Sequence, residues 1–508
     1  TRSYSVTGVQ TCALPIFTVI RRNWHLLPYE QLLTLLGWTA EQLAFTLRED
    51  DFLYVKLGSL KPRCAPLKWS SPTPAERARA AEIAAVVREE FGETPLTGRD
   101  PLFSFVGRLS AVPPRKVPPR EPDPASPEIP RFCYSYFALY GDALLDPALD
   151  PYPEGYLARL AEAGVNGVWL QGLLANLAPF PWDERISAGY EQRREQLRRL
   201  VARAGRFGIK VYVYLNEPRS RPLAFFERHP GLKGVVQGDH AALCTSAAEV
   251  RDWLIGAVES LCRAVPGLGG FFTITASENF TNCWSHHQGG SCPRCGERGA
   301  AAVIADLLRS FQEGIERAGG RQSLIAWDWG WAEAWAEAMV RRLPEGIAVM
   351  SVSEWDVTIE RGGVRSQVGE YSLSALGPGP RARRHWAAAR RRGLPAFAKL
   401  QVGTTWELAS VPYIPAVEQA WAQGHNLREE EVSGLMLGWT LGGHPSPNLE
   451  ATVAGLNGEE LEAVAIRRHG ARYAGPALAA WRGFSRAFRE FPFHIGSVYH
   501  APDRKSVV

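Results

Sequence analysis

The stretch "GGFFTITASEN" (269–279) decides how the rest of the chain is read. Residues 269–276 are small, apolar or β-branched with no polar alternation, and the run stops abruptly at Ser277, Glu278 and Asn279. A strand without a polar face is buried on both sides, as in a parallel sheet covered by helices. Its polar groups then gather at one end. The same pattern recurs on either side, in "FCYSYFALY" (132–140), "NGVWLQG" (166–172), "IKVYVYLN" (209–216), "SLIAWDW" (323–329), "IAVMSVS" (347–353), "PAFAKLQV" (395–402) and "GLMLGWTL" (434–441). Amphipathic helices such as "EGYLARLAEAG" and "AAAVIADLLRSFQEGIERAG" separate these runs. Eight strand–helix units over 132–457 predict an α/β fold of the (β/α)8 TIM-barrel type. A doubly wound sheet is the alternative, but the glycine-rich phosphate loops of dinucleotide folds are absent.

Outside the barrel, residues 17–108 predict a small N-terminal α+β accessory domain. "GWTAEQLAFTLRE" opens a helix on Thr39 and Gln42, a capping-box pair. "DDFLYVKLG" reads as a strand, and "TPAERARAAEIAAVVREEFG" as an amphipathic helix started by proline. Residues 109–131 hold eight prolines and form an extended linker. Residues 458–502 read as a C-terminal helical segment. The two ends, 6–16 "VTGVQTCALPI" and 503–508 "DRKSVV", resemble translated sequencing adapters. We therefore expect 1–16 and 503–508 to be adapter-derived and non-native, attached to an environmental gene fragment.

Chemistry in a TIM barrel belongs at the C-terminal ends of the strands. Strand 2 carries Trp169 and Gln171 there. Strand 3 ends in Asn216 and Glu217, strand 4 in Glu278 and Asn279, and strand 5 in Trp327, Asp328 and Trp329. Strand 6 ends in Glu354, Trp355 and Asp356. Strand 7 leads to Gln401, Trp406 and Glu407, and strand 8 carries Trp439. A single carboxylate there is readily explained as a helix cap or ion-pair partner, and a single tryptophan as core. Carboxylates on five consecutive strands beside tryptophans point to one rim that recognises sugars. Indole faces stack on sugar C–H faces, while carboxylates and amides take the hydroxyls. Glycoside hydrolysis needs two carboxyl groups, an acid and a base or nucleophile, drawn here from Glu278, Glu354, Glu407, Glu217 and Asp328. Glu278 follows an apolar strand, and burial of that kind raises an acid's pKa. The substrate-binding set is Trp169, Asn216, Asn279, Trp327, Trp329, Trp355, Gln401, Trp406 and Trp439.

Over roughly 132–450 these features resemble the family 20 β-N-acetylhexosaminidases. In that family strand 4 ends in an Asp-Glu pair. The resemblance implies Glu278 as the general acid and an N-acetylhexosaminide as substrate. Ser277 stands where the family has the aspartate that steers the substrate's N-acetyl group, so that half of the mechanism does not carry over. "LQVGTTWEL" (Gln401, Trp406, Glu407) is similar to the family's sugar-binding segment, with Trp and Glu adjacent rather than one apart. "NEP" (216–218) resembles the acid/base motif of retaining β-glycosidases and offers Glu217 instead. A non-catalytic carbohydrate-binding barrel is a third reading. A metal-dependent deacetylase is disfavoured, because His444 is the one histidine at a strand end.

Behind Glu278 lies a Cys/His segment. Cys283, Cys292 and Cys295 with His286 or His287 have the residue types of a structural zinc site, and reduced thiols or a disulfide are the other readings. No cofactor is required for catalysis. Cys64, Cys133, Cys244 and Cys262 read as isolated buried thiols, which favours a reducing, cytoplasmic setting. A net charge of +4 spread along the chain gives no basis for nucleic-acid binding. "RARRHWAAARRRG" (381–393) reads as a solvated helix face. No apolar run is long enough to span a bilayer.

Overall fold

The computed structural model describes residues 19–49, 53, 57, 61–91, 104–113, 129–137, 141–277, 279–403, 412–439 and 442–493. The chain divides into two compact units, Thr1–Ala111 and Val112–Val508. The adapter-like ends and residues 114–128 of the linker lie outside the described residues.

In the first unit the described elements include the helices Tyr29–Leu36, Ala40–Glu49, Pro74–Phe91 and Ser104–Ser110. Thr39 and Gln42 form the expected capping box, with reciprocal bonds of 2.9 and 3.3 Å. Ile20, Trp24, Leu32, Leu43, Leu47, Leu53 and Leu57 make a small core. Of the strand expected at 50–58, Leu53 and Leu57 are described and the rest lies outside the described residues. The Leu57 amide donates to the Leu53 carbonyl at 2.9 Å, an α-helical spacing. Leucines at that interval pack on one side, as a helix requires. Among the described residues of this unit every assigned element is a helix. Pro74–Phe91 buries no apolar face either, since Ile83 and Val86 stay half-exposed.

The second unit is a closed barrel of eight parallel strands. They are β1 (Arg131–Tyr134), β2 (Gly167–Gly172), β3 (Lys210–Leu215), β4 (Gly270–Ile274), β5 (Ser323–Trp327), β6 (Ala348–Val352), β7 (Ala396–Lys399) and β8 (Gly434–Gly438). All eight expected strands form. β1 begins where the linker was drawn to end. The tail also resolves: helices Leu461–His469 and Ala471–Phe488 pack on Val417, Ala451 and Ala454 of the helices that follow β7 and β8. None of the described helices is long and apolar enough to cross a membrane.

Strand pairings fix which side chains share a level inside the barrel. Phe132 of β1 pairs with Gly167, Gly167 with Lys210, and two residues further along β3 is Tyr212. The same step leads from Tyr212 through Gly270 to Ser323 and on to Ile325, then to Phe397, and back to Phe132. Four steps of two residues make the stagger of eight that closes a TIM barrel. The interior therefore fills in layers of four from alternate strands. The lowest is Phe132, Tyr212, Ile325 and Phe397. Above it lie Trp169, Phe272, Met350 and Met436, and then Tyr134, Tyr214, Trp327 and Lys399. Glycines make the large rings fit. A Cβ on Gly434 would lie 2.2 Å from the Phe397 ring, and one on Gly167 would lie 2.7 Å from the Phe132 Cβ.

Candidate active site

The third layer is the floor of the barrel mouth. Tyr134 stacks on Trp169 with centroids 4.2 Å apart. Trp439, just past β8, meets Trp169 at 4.8 Å, Trp327 at 5.3 Å and Tyr214 at 5.4 Å. Trp329 and Trp355 form a second pair, 6.5 Å apart, and like Trp439 they stay partly exposed. Trp169 and Trp327 are buried, so they belong to the wall and floor rather than to an open stacking face. Their indole N–H groups have no hydrogen-bond partner, and neither has the Asn216 carbonyl oxygen. Buried polar atoms of this kind are rare and call for an explanation.

The fourth member of the floor is Lys399, which sequence reasoning passed over. It is fully buried. Its ammonium lies 4.0 Å from the centre of the Tyr371 ring and 5.8 Å from that of Trp327. It donates to Gln401 Oε1 at 3.1 Å and to the Leu400 carbonyl. Gln401 Oε1 also accepts from the Trp439 amide at 2.8 Å, which ties strand 7 to strand 8. The signal was present as a lysine inside the apolar run "PAFAKLQV". A buried cation needs partners, so its place in such a run was the clue.

Alternation decides the carboxylates. Ala348, Met350 and Val352 of β6 face inward, and Glu354 follows in the turn two residues past the strand's end. The Ser353 amide donates to the Lys399 carbonyl at 3.0 Å, which continues the ladder. Glu354 is 2% exposed. On strand 3, Tyr212, Tyr214 and Asn216 face inward, and Glu217 faces the outer layer. Asn216 Nδ2 donates to the Tyr214 hydroxyl at 2.8 Å and reaches Ser277 Oγ at 3.4 Å. Glu217 Oε1 instead accepts from the Leu174 amide at 2.7 Å, and Oε2 from the Arg219 amide at 3.1 Å. Burial raises its pKa, offset in part by those amides and by Arg219. Both oxygens are engaged away from the mouth, so the N-E-P expectation is corrected: Glu217 caps the short helix Leu174–Leu177.

Asp328 also faces outward and is fully buried. It accepts from Arg381 Nη1 at 2.9 Å and from Ser351 Oγ at 2.6 Å, and it pairs with His385 Nδ1. Burial alone would raise its pKa, but the Arg381 charge and these hydrogen bonds hold it at about 2. It is a joint between β5, β6 and helix Pro380–Arg390, not a mouth carboxylate. The run 381–393 keeps its solvated face at Arg383, Arg384, Arg390, Arg391 and Arg392, while Arg381 and His385 turn inward and are buried. The Arg381 guanidinium lies 4.5 Å from the centre of the Trp355 ring and so supports that rim residue.

Ser277 and Asn279 bracket the end of strand 4. The Asn279 amide donates to Ser277 Oγ at 3.1 Å, and Asn279 Oδ1 accepts from Arg219. Glu278, Trp406 and Glu407 lie outside the described residues. His444 stacks on Tyr413 at 5.9 Å, and burial lowers its pKa to about 4, so it is neutral at pH 7. His286 lies away from the cysteines, with Nδ1 2.6 Å from Gln237 Oε1. Cys244 takes the expected place of His286: the Sγ atoms of Cys244, Cys283, Cys292 and Cys295 all lie within 4.8 Å of one another. Cys244 is thus not an isolated thiol.

No family model matches the chain, and no curated protein does. Among solved structures, the chain is similar to a family 138 glycoside hydrolase targeting pectin rhamnogalacturonan II. Identity is 11%, coverage is 71% of this chain and 43% of that one, and the TM-score is 0.44. A family 89 glycoside hydrolase from Clostridium perfringens matches at 12% identity over 70% of this chain and 40% of that one, with a TM-score of 0.45. A family 20 exo-β-N-acetylglucosaminidase from Vibrio harveyi matches at 11% identity over 71% and 59%, with a TM-score of 0.40. The chain spans less than half the length of the first two.

Proposed function

We propose that this barrel is a glycoside hydrolase acting on a β-linked sugar. The observation that carries the reading is the composition of one rim. Buried Glu354, just past the end of β6, and the amides of Asn216 and Gln401 stand at the same strand ends as the partly exposed Trp329, Trp355 and Trp439, and three buried polar atoms there lack partners. A polyhydroxylated ring would supply those partners and stack on the indoles.

In this reading Glu278, between Ser277 and Asn279, is the general acid, and Glu354 is the second carboxylate. Proton transfer to the leaving oxygen and stabilisation of an oxocarbenium-like transition state are the two tasks a glycosidase must divide. Lys399, beside Tyr371 and Trp327, holds Gln401 in place at the floor of the mouth. Ser277 in place of an aspartate leaves the substrate's own N-acetyl group without a steering carboxylate. A protein-borne base or nucleophile therefore fits better than a substrate-assisted route, and an N-acetylhexosaminide remains one candidate among β-glycosides.

A panel of p-nitrophenyl glycosides, N-acetylated and not, tests this directly. The intact chain should cleave at least one. Glu278→Gln and Glu354→Gln should each lower kcat by about 100-fold or more while sugar binding by calorimetry persists. Binding without cleavage by the intact chain would make this a carbohydrate-binding barrel instead. Full activity in Glu354→Gln would remove that residue from the chemistry.

A further inference from the structure

Four buried sulfurs converge beside the mouth without forming disulfides. Cys244 Sγ lies 3.8 Å from Cys292 Sγ and 3.6 Å from Cys295 Sγ. A disulfide requires an S–S separation of about 2.05 Å. A tetrahedral ion with Zn–S bonds of about 2.3 Å places its sulfurs about 3.8 Å apart, along the edges of the tetrahedron. The observed separations match that edge.

The surroundings are shaped for such a cluster. A Cβ on Gly234 would lie 2.5 Å from Cys283 Sγ, so glycine clears the room that this sulfur occupies. The amides of Cys295 and Gly296 donate to the Cys292 carbonyl at 3.1 and 2.8 Å, folding Cys-x-x-Cys into a tight turn. Arg294 Nε lies 3.3 Å from Cys244 Sγ, and Ser246 Oγ lies 3.2 Å from Cys295 Sγ. Four thiolates around a divalent cation carry a net charge of −2, and a guanidinium and a hydroxyl at the sulfurs offset it. Val235, Ala242 and Val303 complete an apolar shell.

We propose that Cys244, Cys283, Cys292 and Cys295 bind one structural zinc ion. Four protein ligands close the coordination sphere, so the ion has no open position for catalysis. Its effect is mechanical. Cys244 follows the small antiparallel sheet of Arg221–Pro222, Lys233–Gln237 and His240–Leu243, inserted after β3. The other three cysteines lie in the loop after β4. One ion therefore ties together the loops that carry Arg219 and Asn279 and holds the strand 4 end against strand 3. This inference does not depend on the proposed reaction.

Metal analysis of the full chain, purified without chelator, should find one zinc ion per chain. Cys244→Ser should lose most of it, and His286→Ala should keep it. Should Cys244→Ser fail to fold, X-ray absorption on the unmodified chain still decides, with four sulfur ligands at about 2.3 Å expected. Three results would each overturn the proposal: no zinc before or after reconstitution, a nitrogen in the first coordination shell with zinc lost in His286→Ala, or a coloured iron centre in place of zinc.

Discussion

Asp328 illustrates how a strand-end carboxylate can be essential without touching a substrate. Its partners Arg381, Ser351 and His385 come from a helix and a neighbouring strand, and all are buried. Removing one partner of a buried pair leaves the other charge uncompensated. Asp328→Asn should therefore destabilise the barrel by about 3 kcal/mol at neutral pH, as measured by urea unfolding. The pH dependence has a definite sign. The folded carboxyl titrates at about 2, and the unfolded one near ~3.9. The ion pair's contribution is complete above that unfolded value and is lost as pH falls toward the folded one. The gap between the two proteins should narrow steadily in acid; a constant gap would count against the pairing. Glu217 teaches the same lesson with an opposite shift, since burial raises it while backbone amides occupy both its oxygens. Sequence shows that a carboxylate ends a strand. It does not show which face of the strand that residue occupies.

At the scale of elements, the strands were legible because parallel strands covered on both faces have no polar alternation to obscure them. The strand expected at 50–58 was read so for a related reason: Leu53 and Leu57 suit a helix as well as a strand, and a short apolar run does not distinguish them. Within the site, Gln401, Asn216 and Glu354 were visible as strand-end residues. Cys244 was not, because 39 residues separate it from Cys283 and only the packing of an inserted sheet brings them together. The glycines record how tightly the elements meet. Gly434→Ala would press a methyl group into the Phe397 ring. It should cost about 1–3 kcal/mol, the usual penalty for overpacking a filled core. Phe397→Leu in the same chain should recover part of that loss. If the double variant is no better than the single one, the strain lies elsewhere.

For the barrel unit as a whole, the C-terminal helices finish the outer layer. Trp481 is 7% exposed and packs with Leu478, Val464 and Ala454. The Glu418 amide donates to Ser485 Oγ at 3.2 Å, and Arg489 bonds Gln419, so polar contacts fasten the same seam. Trp481→Ala should lower unfolding free energy by about 3 kcal/mol, and denaturant titration should show one shifted transition. A separate early transition would mean that the tail unfolds independently of the barrel. The stagger of eight has a broader consequence. Odd and even strands supply different levels, so each strand has a parity, and a single-residue insertion acts on the interior like a frameshift. One added residue before Ala396 would turn Lys399 outward and bring Ala398 and Leu400 into the barrel. The cation would vanish from the floor although no residue of the site had been substituted. Inheritance of this mouth thus depends on the lengths of the short turns at the opposite end of the barrel, where no chemistry takes place.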